Sequence, residues 1–518
     1  MDMQPSNLDI TRIRFFTAFA SLLLSLQAVY FDDIINRDGI MYLQMSEAYL
    51  SGGLAAAKAI YDWPVFSILI AWLHQFTTLP LESCGFILNS FFFIVLTDAL
   101  VLISSLLIKT RQQLTIAAAL ILCFVPINEY RDFILRDPGY WAFSSIALYH
   151  FMQFTKNPNY FSATLWQVFI VTAVLFRIEG SVLLLALPVY LFFTFPTLSA
   201  VGYFLQSLYL AIAAAILALL TLASQAELSD AFGKFESILQ YLNFDTYIEK
   251  LGNASFVLEQ QVLNKYSDEY AHLILIAGLL AMLAYKLLKT FSISYIIIYV
   301  ISTSSANTHL HPRLQKLLLY FFLINIFILC TFLFNAYFIS SRYTVLALIS
   351  LLLLFQSRLC NGLESLWLEK KTLLMTIVGL CLFYNVADTA TSSSSKTYIK
   401  DTALWAAHNI PERSLVMTDD EFMLYYFERE KTTSTVCAKK IFRRIDFLRE
   451  YHHKMPYLHG PCSTPESSDY KQYDYMIVVE KERYPELIGF LKTLNLERVL
   501  YNENERLNDG ASVYKVVK

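Results

Sequence analysis

Long apolar runs alternate with short polar loops over the first 390 residues. A helix needs about 20 apolar residues to cross roughly 30 Å of hydrocarbon, so each long run is a candidate membrane span. We predict eleven spans, near residues 15–30, 85–108, 114–128, 139–155, 161–177, 180–196, 203–223, 271–288, 317–338, 343–357 and 372–387. The run at 291–303 is shorter, and we interpret it as re-entrant or buried. The pattern predicts a polytopic α-helical membrane protein.

The loops between these runs carry the charge that orients the bundle. Lysine and arginine accumulate in the cytoplasmic loops of membrane proteins. With the N-terminus inside, the basic loop residues that fall in the cytoplasm are Lys109, Arg111, Lys156, Lys286, Lys289, Arg358, Lys370 and Lys371. An odd number of spans then predicts that the residues after 390 lie outside the cytoplasm. The first run has no small-residue cleavage site after it, so we expect a retained anchor rather than a signal peptide.

Composition separates two domains. Hydrophobic residues make up 56% of the chain and charged residues 16%, yet 38 of the 83 charged residues lie in 391–518. Short apolar runs there alternate with helical patterns at 398–409, 420–428, 440–452 and 484–494, which is typical of a small α/β domain. We predict a membrane domain at 1–390 and a soluble α/β domain at 391–518, and no basic tract favours nucleic acid. Cys437 and Cys462 could pair in an oxidising compartment.

Four polar clusters fall on the predicted outer side. They are the loop 31–63 with Asp32, Asp33 and Asp38, the pairs Arg131–Asp132 and Arg136–Asp137, Arg177 with Glu179, and Arg342–Tyr343. Charges at the edge of the hydrocarbon are costly and usually pair or bind a ligand. Ordinary roles stay open for each cluster: loop ion pairs, helix-end anchors or, for Asp38, a turn. Asp98 is either a buried hydrogen-bonding group or part of a site, and His309 and His311 are favoured as loop residues over metal ligands.

The loop 31–63 carries a family resemblance. Its run RDGIMYLQMSEAYLSGG, followed by YDWPVFSILIAW, resembles the first outer loop of C-type (GT-C fold) glycosyltransferases related to protein O-mannosyltransferases and lipid A aminoarabinose transferases. The matching positions are Asp38, Gly39, Tyr42 and Pro64. Many members of the family have Glu where this chain has Gly39. The second half of the loop, AYLSGGLAAAKAIYDW, reads as a short amphipathic stretch at the membrane surface.

Two later segments extend the resemblance to roughly residues 12–390. FRIEGSVLLLALP at 176–188 is similar to the Arg-x-Glu-Gly helix start of the family, and SSRYTVLALISLLLLF at 340–355 is similar to its Arg-Tyr segment on a late helix. The resemblance implies a GT-C-like bundle in which Asp38 belongs to the catalytic site. Tyr42, Asp33, Asp137, Glu179 and Tyr343 are expected to support that site.

The chemistry can also be argued from the residues. Nucleotide sugars are cytosolic, so a site facing away from the cytoplasm needs a donor already carried across the membrane, such as a polyprenyl-phosphate-linked sugar. Its phosphate needs fixed cations, and the available ones are Arg342, Arg177, Arg131 and Arg136. Asp38 would accept the proton of the acceptor hydroxyl, and a single base opposite a leaving phosphate implies inversion. No metal or cofactor is assigned, although Asp32 and Asp33 could bind a divalent cation.

We therefore expect an inverting glycosyltransferase of the bacterial inner membrane whose active site faces the periplasm. Its partners would be the lipid-linked donor, membrane lipids and a lipid, protein or glycan acceptor, and no nucleic acid. A lipid or polysaccharide transporter or flippase is the alternative, but it should show broken helices at the bilayer midplane and repeat symmetry. A non-enzymatic assembly or sensory protein would leave the Asp38 loop and its arginines without a role.

Overall fold

The computed structural model describes residues 6–31, 34–222, 244–303, 312–391, 396–418, 420–431, 435–438, 473–480, 485–504 and 508–517. The chain divides into two compact units. The membrane unit comprises Met1–Gln27, Ile87–Arg131 and Arg136–Thr389. The α/β unit comprises Ala28–Phe86, Asp132–Leu135 and Ala390–Lys518.

Helices account for most of the described residues. Up to the long second outer loop they are α1 (Asn7–Phe31), α2 (Arg37–Ile60), α3 (Val65–Thr77), α4 (Leu81–Leu107), α5 (Arg111–Leu122), α6 (Val125–Asn128), α7 (Asp137–Lys156), α8 (Tyr160–Phe176), α9 (Gly180–Ala186) and α10 (Thr197–Leu222). After it come α11 (Phe244–Gln261), α12 (Ala271–Phe291), α13 (Ile293–Thr303), α14 (Pro312–Ala336), α15 (Ser341–Leu368), α16 (Thr372–Thr391), α17 (Thr397–Asn409), α18 (Glu421–Glu430) and α19 (Pro485–Thr493).

Within the described residues, six helices are long and apolar enough to cross a membrane. They are Asn7–Phe31, Leu81–Leu107, Thr197–Ala214, Asp268–Phe291, Pro312–Ala336 and Ser341–Leu368. Shorter apolar helices include Val65–Thr77, Tyr160–Phe176, Gly180–Phe193, Ile293–Ser302 and Thr372–Ala387. The prediction of a polytopic helical membrane protein is confirmed. The number of eleven spans stays a prediction, because several of the corresponding helices are shorter than a full crossing.

Two predicted spans are interrupted where proline removes a helical hydrogen bond. The run predicted at 114–128 ends as a helix at Leu122, and Pro126 starts the separate turn α6. The run predicted at 180–196 is α-helical only over α9 and continues as a 3₁₀ helix, Leu187–Phe193, with Pro188 in its first turn.

The segment predicted to be re-entrant or buried forms the short helix α13. Its 11 residues extend about 16 Å, roughly half the hydrocarbon thickness. The hydroxyl of Tyr295 donates to the carbonyl of Leu120 at 2.5 Å. A side chain at Gly362 would place its Cβ 2.1 Å from the carbonyl oxygen of Ser302, so glycine permits α13 to pack closely on α15. Its length favours a re-entrant segment over a twelfth span, and one face of it is exposed, at Ile293 and Val300.

The C-terminal part of the α/β unit contains a five-stranded sheet. Its strands are β1 (Leu415–Thr418), β2 (Thr435–Ala438), β3 (Tyr475–Glu480), β4 (Leu496–Asn504) and β5 (Asp509–Val516), in the order β2-β1-β3-β5-β4. β1 pairs in parallel with β2 and β3, whereas β5 is antiparallel to β3 and β4. Met417, Met476, Val478 and Tyr514 are among its buried core residues. The predicted α/β fold of the C-terminal part is confirmed, and the domain bounds 391–518 stay a prediction. The helix predicted at 440–452 lies outside the described residues.

The prediction of a loop over residues 31–63 is wrong for most of this segment. Residues 37–60 form helix α2, which is kinked at Gly53, where φ is +70°. Buried apolar residues recur here three positions apart, Ile40 with Leu43 and Tyr42 with Met45, which is the spacing of a helix face. Asp38 therefore lies in the first turn of a packed helix instead of a turn or loop.

Helix α2 and helix α18 contact each other within the α/β unit. The backbone N–H of Ile35 donates to the hydroxyl of Tyr426 at 3.0 Å, and Arg37 forms a 2.8 Å ion pair with Glu421. Arg429 of α18 also lies 3.3 Å from a carboxylate oxygen of Glu82. These contacts require the start of α2 and the C-terminal domain to lie on one side of a membrane. Which side that is stays a prediction.

Candidate active site

A small cavity in the membrane unit collects polar and aromatic side chains from three helices and one helix junction. Its lining is Tyr140, Trp141, Arg177, Glu179, Asn325, Ile328, Leu329, Phe332, Arg342, Tyr343 and Leu346. Four of these, Arg177, Glu179, Arg342 and Tyr343, are residues that the sequence predicted as site residues. The structure therefore brings together two clusters that are more than 160 positions apart in the chain.

The junction between α8 and α9 positions the first arginine. α8 ends at Phe176, and Arg177 adopts an extended backbone that turns its side chain out of the helical register. Gly180 then begins α9 where a Cβ would lie 3.0 Å from the backbone nitrogen of Val174. This close approach explains why glycine follows Glu179 in the Arg-x-Glu-Gly run.

Arg177 is buried and forms ion pairs with two carboxylates. One amino group of the guanidinium contacts Asp137, and Nε and the other amino group bind the carboxylate of Glu179 at 3.2 and 2.5 Å. This is a two-pronged arginine–carboxylate pair of the strong, geometrically specific kind. Burial opposes ionisation of Glu179, but the Arg177 guanidinium outweighs it and lowers the pKa of Glu179 to about 2. The pair is therefore charged at any physiological pH.

Tyr343 lies between the two arginines of the cavity. Its ring centroid is 4.6 Å from Cζ of Arg177 and 5.2 Å from Cζ of Arg342. Arg342 also approaches the Tyr343 hydroxyl at 3.4 Å, and Phe332 meets the ring edge-on at 5.0 Å. A ring face attracts cations, so Tyr343 holds both guanidinium groups beside the cavity.

The remaining predicted phosphate ligands lie elsewhere in the membrane unit or at its edge. Arg131 is fully buried and donates to the side chains of Asn128, Ser21 and Ser25 and to the Ser21 carbonyl. Its guanidinium also lies 4.8 Å from the Phe93 ring. Neutral partners therefore occupy the groups that a phosphate would need. Arg131 is thus packed against α1 rather than exposed in a surface ion pair, and its role as a phosphate ligand stays a prediction.

Arg136 and Asp137 have separate surroundings at the start of α7. Arg136 is half-buried at the N-cap position, and its charge contributes to lowering the pKa of Glu179. Asp137 is buried and contacts Arg177 directly. Both predicted residues are thus near the Arg177–Glu179 pair, with Arg136 the more exposed.

Asp38 and Tyr42 belong to the α/β unit, where the start of α2 is tightly fixed. Tyr42 is buried, with its ring centroid 5.1 Å from that of Phe66. A side chain at Gly39 would place its Cβ 3.1 Å from Cβ of Ile134 and closer still to the preceding turn, so the glutamate found in many family members would not fit here. Asp38 is half-buried. Asp32 and Asp33 lie outside the described residues.

Several lining residues were missed by the sequence interpretation. Tyr140 and Trp141 directly follow the Asp137-Pro-Gly run, which was a usable signal. Asn325 is an isolated amide within the apolar helix α14 and was the second available signal. Asp98, by contrast, takes its ordinary role: Arg14 binds both of its carboxylate oxygens, at 2.7 and 2.8 Å.

No group of three or more potential metal-ligating side chains occurs among the residues that the structure describes. The prediction that a divalent cation could bind Asp32 and Asp33 is untested, because both fall outside those ranges. His309, His311 and Cys462 also lie outside the described residues, so the pairing of Cys437 with Cys462 stays a prediction.

Comparison with known proteins gives no matching family model and no matching curated protein. Three solved structures are similar. The oligosaccharyltransferase of Archaeoglobus fulgidus, in complex with Zn and sulfate, has 13% identity and a TM-score of 0.44, over 80% of this chain and 62% of that one. ArnT from Cupriavidus metallidurans in the apo state has 10% identity and a TM-score of 0.43, over 96% and 97%.

The arabinofuranosyltransferase AftD from Mycobacteria has 13% identity and a TM-score of 0.44, over all of this chain and 40% of that one. The chain thus spans less than two thirds of the first and third structures. All three have the GT-C fold that the sequence motifs resemble. Because every TM-score lies below 0.5, the activity of this chain is argued from its own residues.

Proposed function

We propose that the protein is an integral-membrane inverting glycosyltransferase that moves a sugar from a polyprenyl-phosphate carrier to a hydroxyl group of an acceptor. The observation that carries this proposal is the cavity between α7, α14 and α15. It combines a fixed arginine pair, Arg177 and Arg342, with aromatic and aliphatic walls. Such a lining suits a donor that has an anionic phosphate beside a sugar and an apolar chain.

The contacts of the arginines rank them as phosphate ligands. Arg177 already has two carboxylate partners, so its role is to hold Glu179 and Tyr343 in place. Arg131 is surrounded by neutral donors and acceptors in the packing of α1. Arg342, which lines the cavity beside the Tyr343 ring, is the proposed principal phosphate ligand, with Arg177 or the pair Arg131 and Arg136 assisting.

Arg342 would act chiefly on the departing phosphate. As the bond between the anomeric carbon and the phosphate oxygen breaks, negative charge accumulates on that oxygen. A guanidinium already fixed over Tyr343 stabilises this charge without reorganising, and the apolar walls strengthen the interaction. The products would be the glycosylated acceptor and a free polyprenyl phosphate.

Asp38 is the proposed general base, on the strength of the resemblance between its segment and the GT-C first outer loop. The acceptor hydroxyl attacks the anomeric carbon while Asp38 takes its proton. A single displacement with one base inverts the configuration at that carbon, and a positioned base is worth about 10²–10⁴-fold in rate. The helix α2, anchored by Tyr426 and Glu421, would hold this carboxylate in position.

The location of the reaction follows from the same proposal. A lipid-linked donor is needed where nucleotide sugars are absent, so the active site would face away from the cytoplasm, into the periplasm of a bacterial inner membrane. The acceptor would be a lipid, protein or glycan that presents a hydroxyl there, and the reaction would need no cofactor.

The test is sugar transfer by the purified protein from radiolabelled polyprenyl-phosphate sugars to a panel of lipid, peptide and glycan acceptors. Asp38→Asn should lower the rate at least 100-fold while leaving expression and membrane insertion normal. Asp62→Asn is the matched control, since Asp62 is an exposed carboxylate in the same segment. Normal turnover by the Asp38→Asn protein would rule out the base assignment. Movement of the donor across vesicles without any transfer product would favour a flippase instead.

A further inference from the structure

A second cavity opens on the surface of the membrane unit as a groove between α5, the C-terminal part of α15 and α16. Its lining is Arg111, Gln112, Thr115, Ile116, Ala119, Leu120, Leu363, Trp367, Met375, Val378 and Leu382. Leu363 is 21 positions beyond Arg342 on the same helix, which is roughly 30 Å along the axis. The groove is therefore separate from the candidate active site.

The walls of this groove are apolar along most of its length. Its apolar lining includes Ile116 and Leu120 from α5, Leu363 from α15, and Met375 and Leu382 from α16. Each wall uses residues three, four or seven positions apart, which places them on one face of their helix. An open apolar groove on a membrane helix bundle is filled by a hydrocarbon chain rather than by water, because its walls offer water no hydrogen bonds.

One end of the groove is basic. Arg111, the first residue of α5, has a side chain that is 63% exposed even though Asp9 lies 3.3 Å away. Lys370 and Lys371 are exposed in the turn that joins α15 to α16, the two helices of the opposite wall. Glu369 pairs with Lys371 at 2.7 Å. Glu364 accepts from Thr110 and Gln113 beside Arg111, and Lys109 is exposed two positions before Arg111. Four cations against three carboxylates leave this end slightly positive.

Trp367 marks the same end. It lines the groove and is 63% exposed. Tryptophan is enriched where lipid headgroups meet the hydrocarbon, so its position indicates that the headgroup level lies near Arg111 and that the apolar walls continue into the acyl region. The groove thus offers an apolar channel below a cationic rim.

We propose that this groove binds a phospholipid with an anionic headgroup from the surrounding bilayer, its acyl chain along α5 and α16 and its phosphate beside Arg111. Basic pockets between membrane helices on the cytoplasmic side recognise such headgroups. The lysines and arginine of the rim are residues that the charge pattern places in the cytoplasm, so the lipid would belong to the inner leaflet. The site is independent of sugar transfer.

Native mass spectrometry of the full chain, released from membranes of equal phosphatidylglycerol and phosphatidylcholine content with matched acyl chains, tests the proposal. We expect preferential retention of phosphatidylglycerol. Arg111→Gln should lower that preference about fivefold, since one cation near a headgroup is worth about a factor of five. Asp9→Asn should raise it by removing the competing carboxylate. Lys289→Gln, an exposed cation on α12, is the matched control and should have no effect.

Ala119→Phe addresses the apolar half of the site, because it places a ring within the groove and should lower the retention of both lipids. Equal retention of the two lipids by the unmodified protein would overturn the proposal. So would an unchanged preference in the Arg111→Gln protein. A stable dimer that Ala119→Phe converts to a monomer, with lipid retention unchanged, would show instead that a second copy covers the groove.

Discussion

Two buried arginine regions of the membrane unit look alike in sequence and differ in structure. Arg131 and Arg177 each sit beside an acidic residue in a short polar run between apolar segments. Around Arg131 the partners are neutral: two serines, an asparagine and the Phe93 ring. Around Arg177 they are two carboxylates and a tyrosine ring that a second arginine shares.

The difference teaches which arginine can act on a ligand. The hydrogen bonds of Arg131 are all directed at α1 and its own turn, so its guanidinium holds helices together. Arg177 lines a cavity together with Arg342, and both of its carboxylate partners lie at or beside that cavity. Burial alone does not separate the two cases; the identity and direction of the partners do.

The largest effect is expected at Arg342. Arg342→Ala should lower the transfer rate about 10²–10³-fold, the usual cost of removing one fixed charge-stabilising donor, with little change in thermal unfolding. Arg342→Lys keeps the charge but loses the planar fork, so we expect an intermediate rate with a smaller loss of donor affinity. Steady-state kinetics with a polyprenyl-phosphate sugar measures both. Arg358→Ala, on the same helix beside Tyr299, is the control. Unchanged kinetics in the alanine protein would reduce Arg342 to a helix-end anchor.

At Arg131 we expect substitution to lower stability rather than activity. Arg131→Met leaves the Ser21, Ser25 and Asn128 groups without their donor, and unsatisfied buried polar groups cost about 1–3 kcal/mol each. We expect a clear fall in the thermal midpoint and in folded yield, with turnover per folded molecule within twofold of normal. Activity normalised to the folded fraction measures this. Loss of turnover in a protein of normal stability would return Arg131 to the phosphate site.

Sequence patterns were sufficient to predict the fold class, because a chain that crosses a lipid bilayer can adopt few backbone structures. The helices, the α/β domain and the short helix at 291–303 follow from hydrophobic length and period. They did not suffice for α2, where two features misled the interpretation. Asp38-Gly39 is a common turn pair, and polar residues among the apolar ones suggested a loop. Contacts distant in the chain support the helical apolar spacing of α2: Ile134 packs against Gly39, and its backbone exchanges two hydrogen bonds with the Asn36 side chain.

The candidate site was predictable in part. Arg177, Glu179 and Arg342 stood out because charges are rare beside membrane spans. Tyr140, Trp141 and Phe332 did not, since aromatic residues are common throughout this chain and nothing in their spacing separates a lining ring from a packing ring. The neutral partners of Arg131 were equally hidden. Ser21 and Ser25 are more than 100 positions away, and only the folded chain brings them to it.

Glu179→Gln sharpens the comparison through pH. The pKa of Glu179 is lowered in the folded protein, so its ion pair stabilises the fold above the ordinary glutamate pKa, and that contribution is lost as the pH falls towards about 2. We expect the free energy of unfolding of the variant to be about 3 kcal/mol lower at pH 7, which is the low end for a broken buried ion pair. The loss is at the low end because Asp137 still pairs with Arg177. The acid limb of its stability curve should be flatter. Thermal unfolding in detergent from pH 3 to 7 measures both, and parallel curves for the two proteins would contradict the pairing.

The smallest effect is expected at the Tyr343 hydroxyl. Two substitutions at this position distinguish the contribution of the ring from that of the hydroxyl. Tyr343→Phe keeps the face that lies against both guanidinium groups and loses only a contact of 3.4 Å with Arg342, so the rate should fall less than threefold. Tyr343→Leu removes the ring, and a desolvated cation–π contact of about 1–2 kcal/mol predicts roughly a tenfold loss. Kinetics with saturating acceptor distinguishes them. Equal losses of rate in the two variants would mean that the Tyr343 hydroxyl, and not its ring, orients Arg342. The cavity would then differ from the Arg131 region by one hydrogen bond rather than by a ring that contacts two arginines.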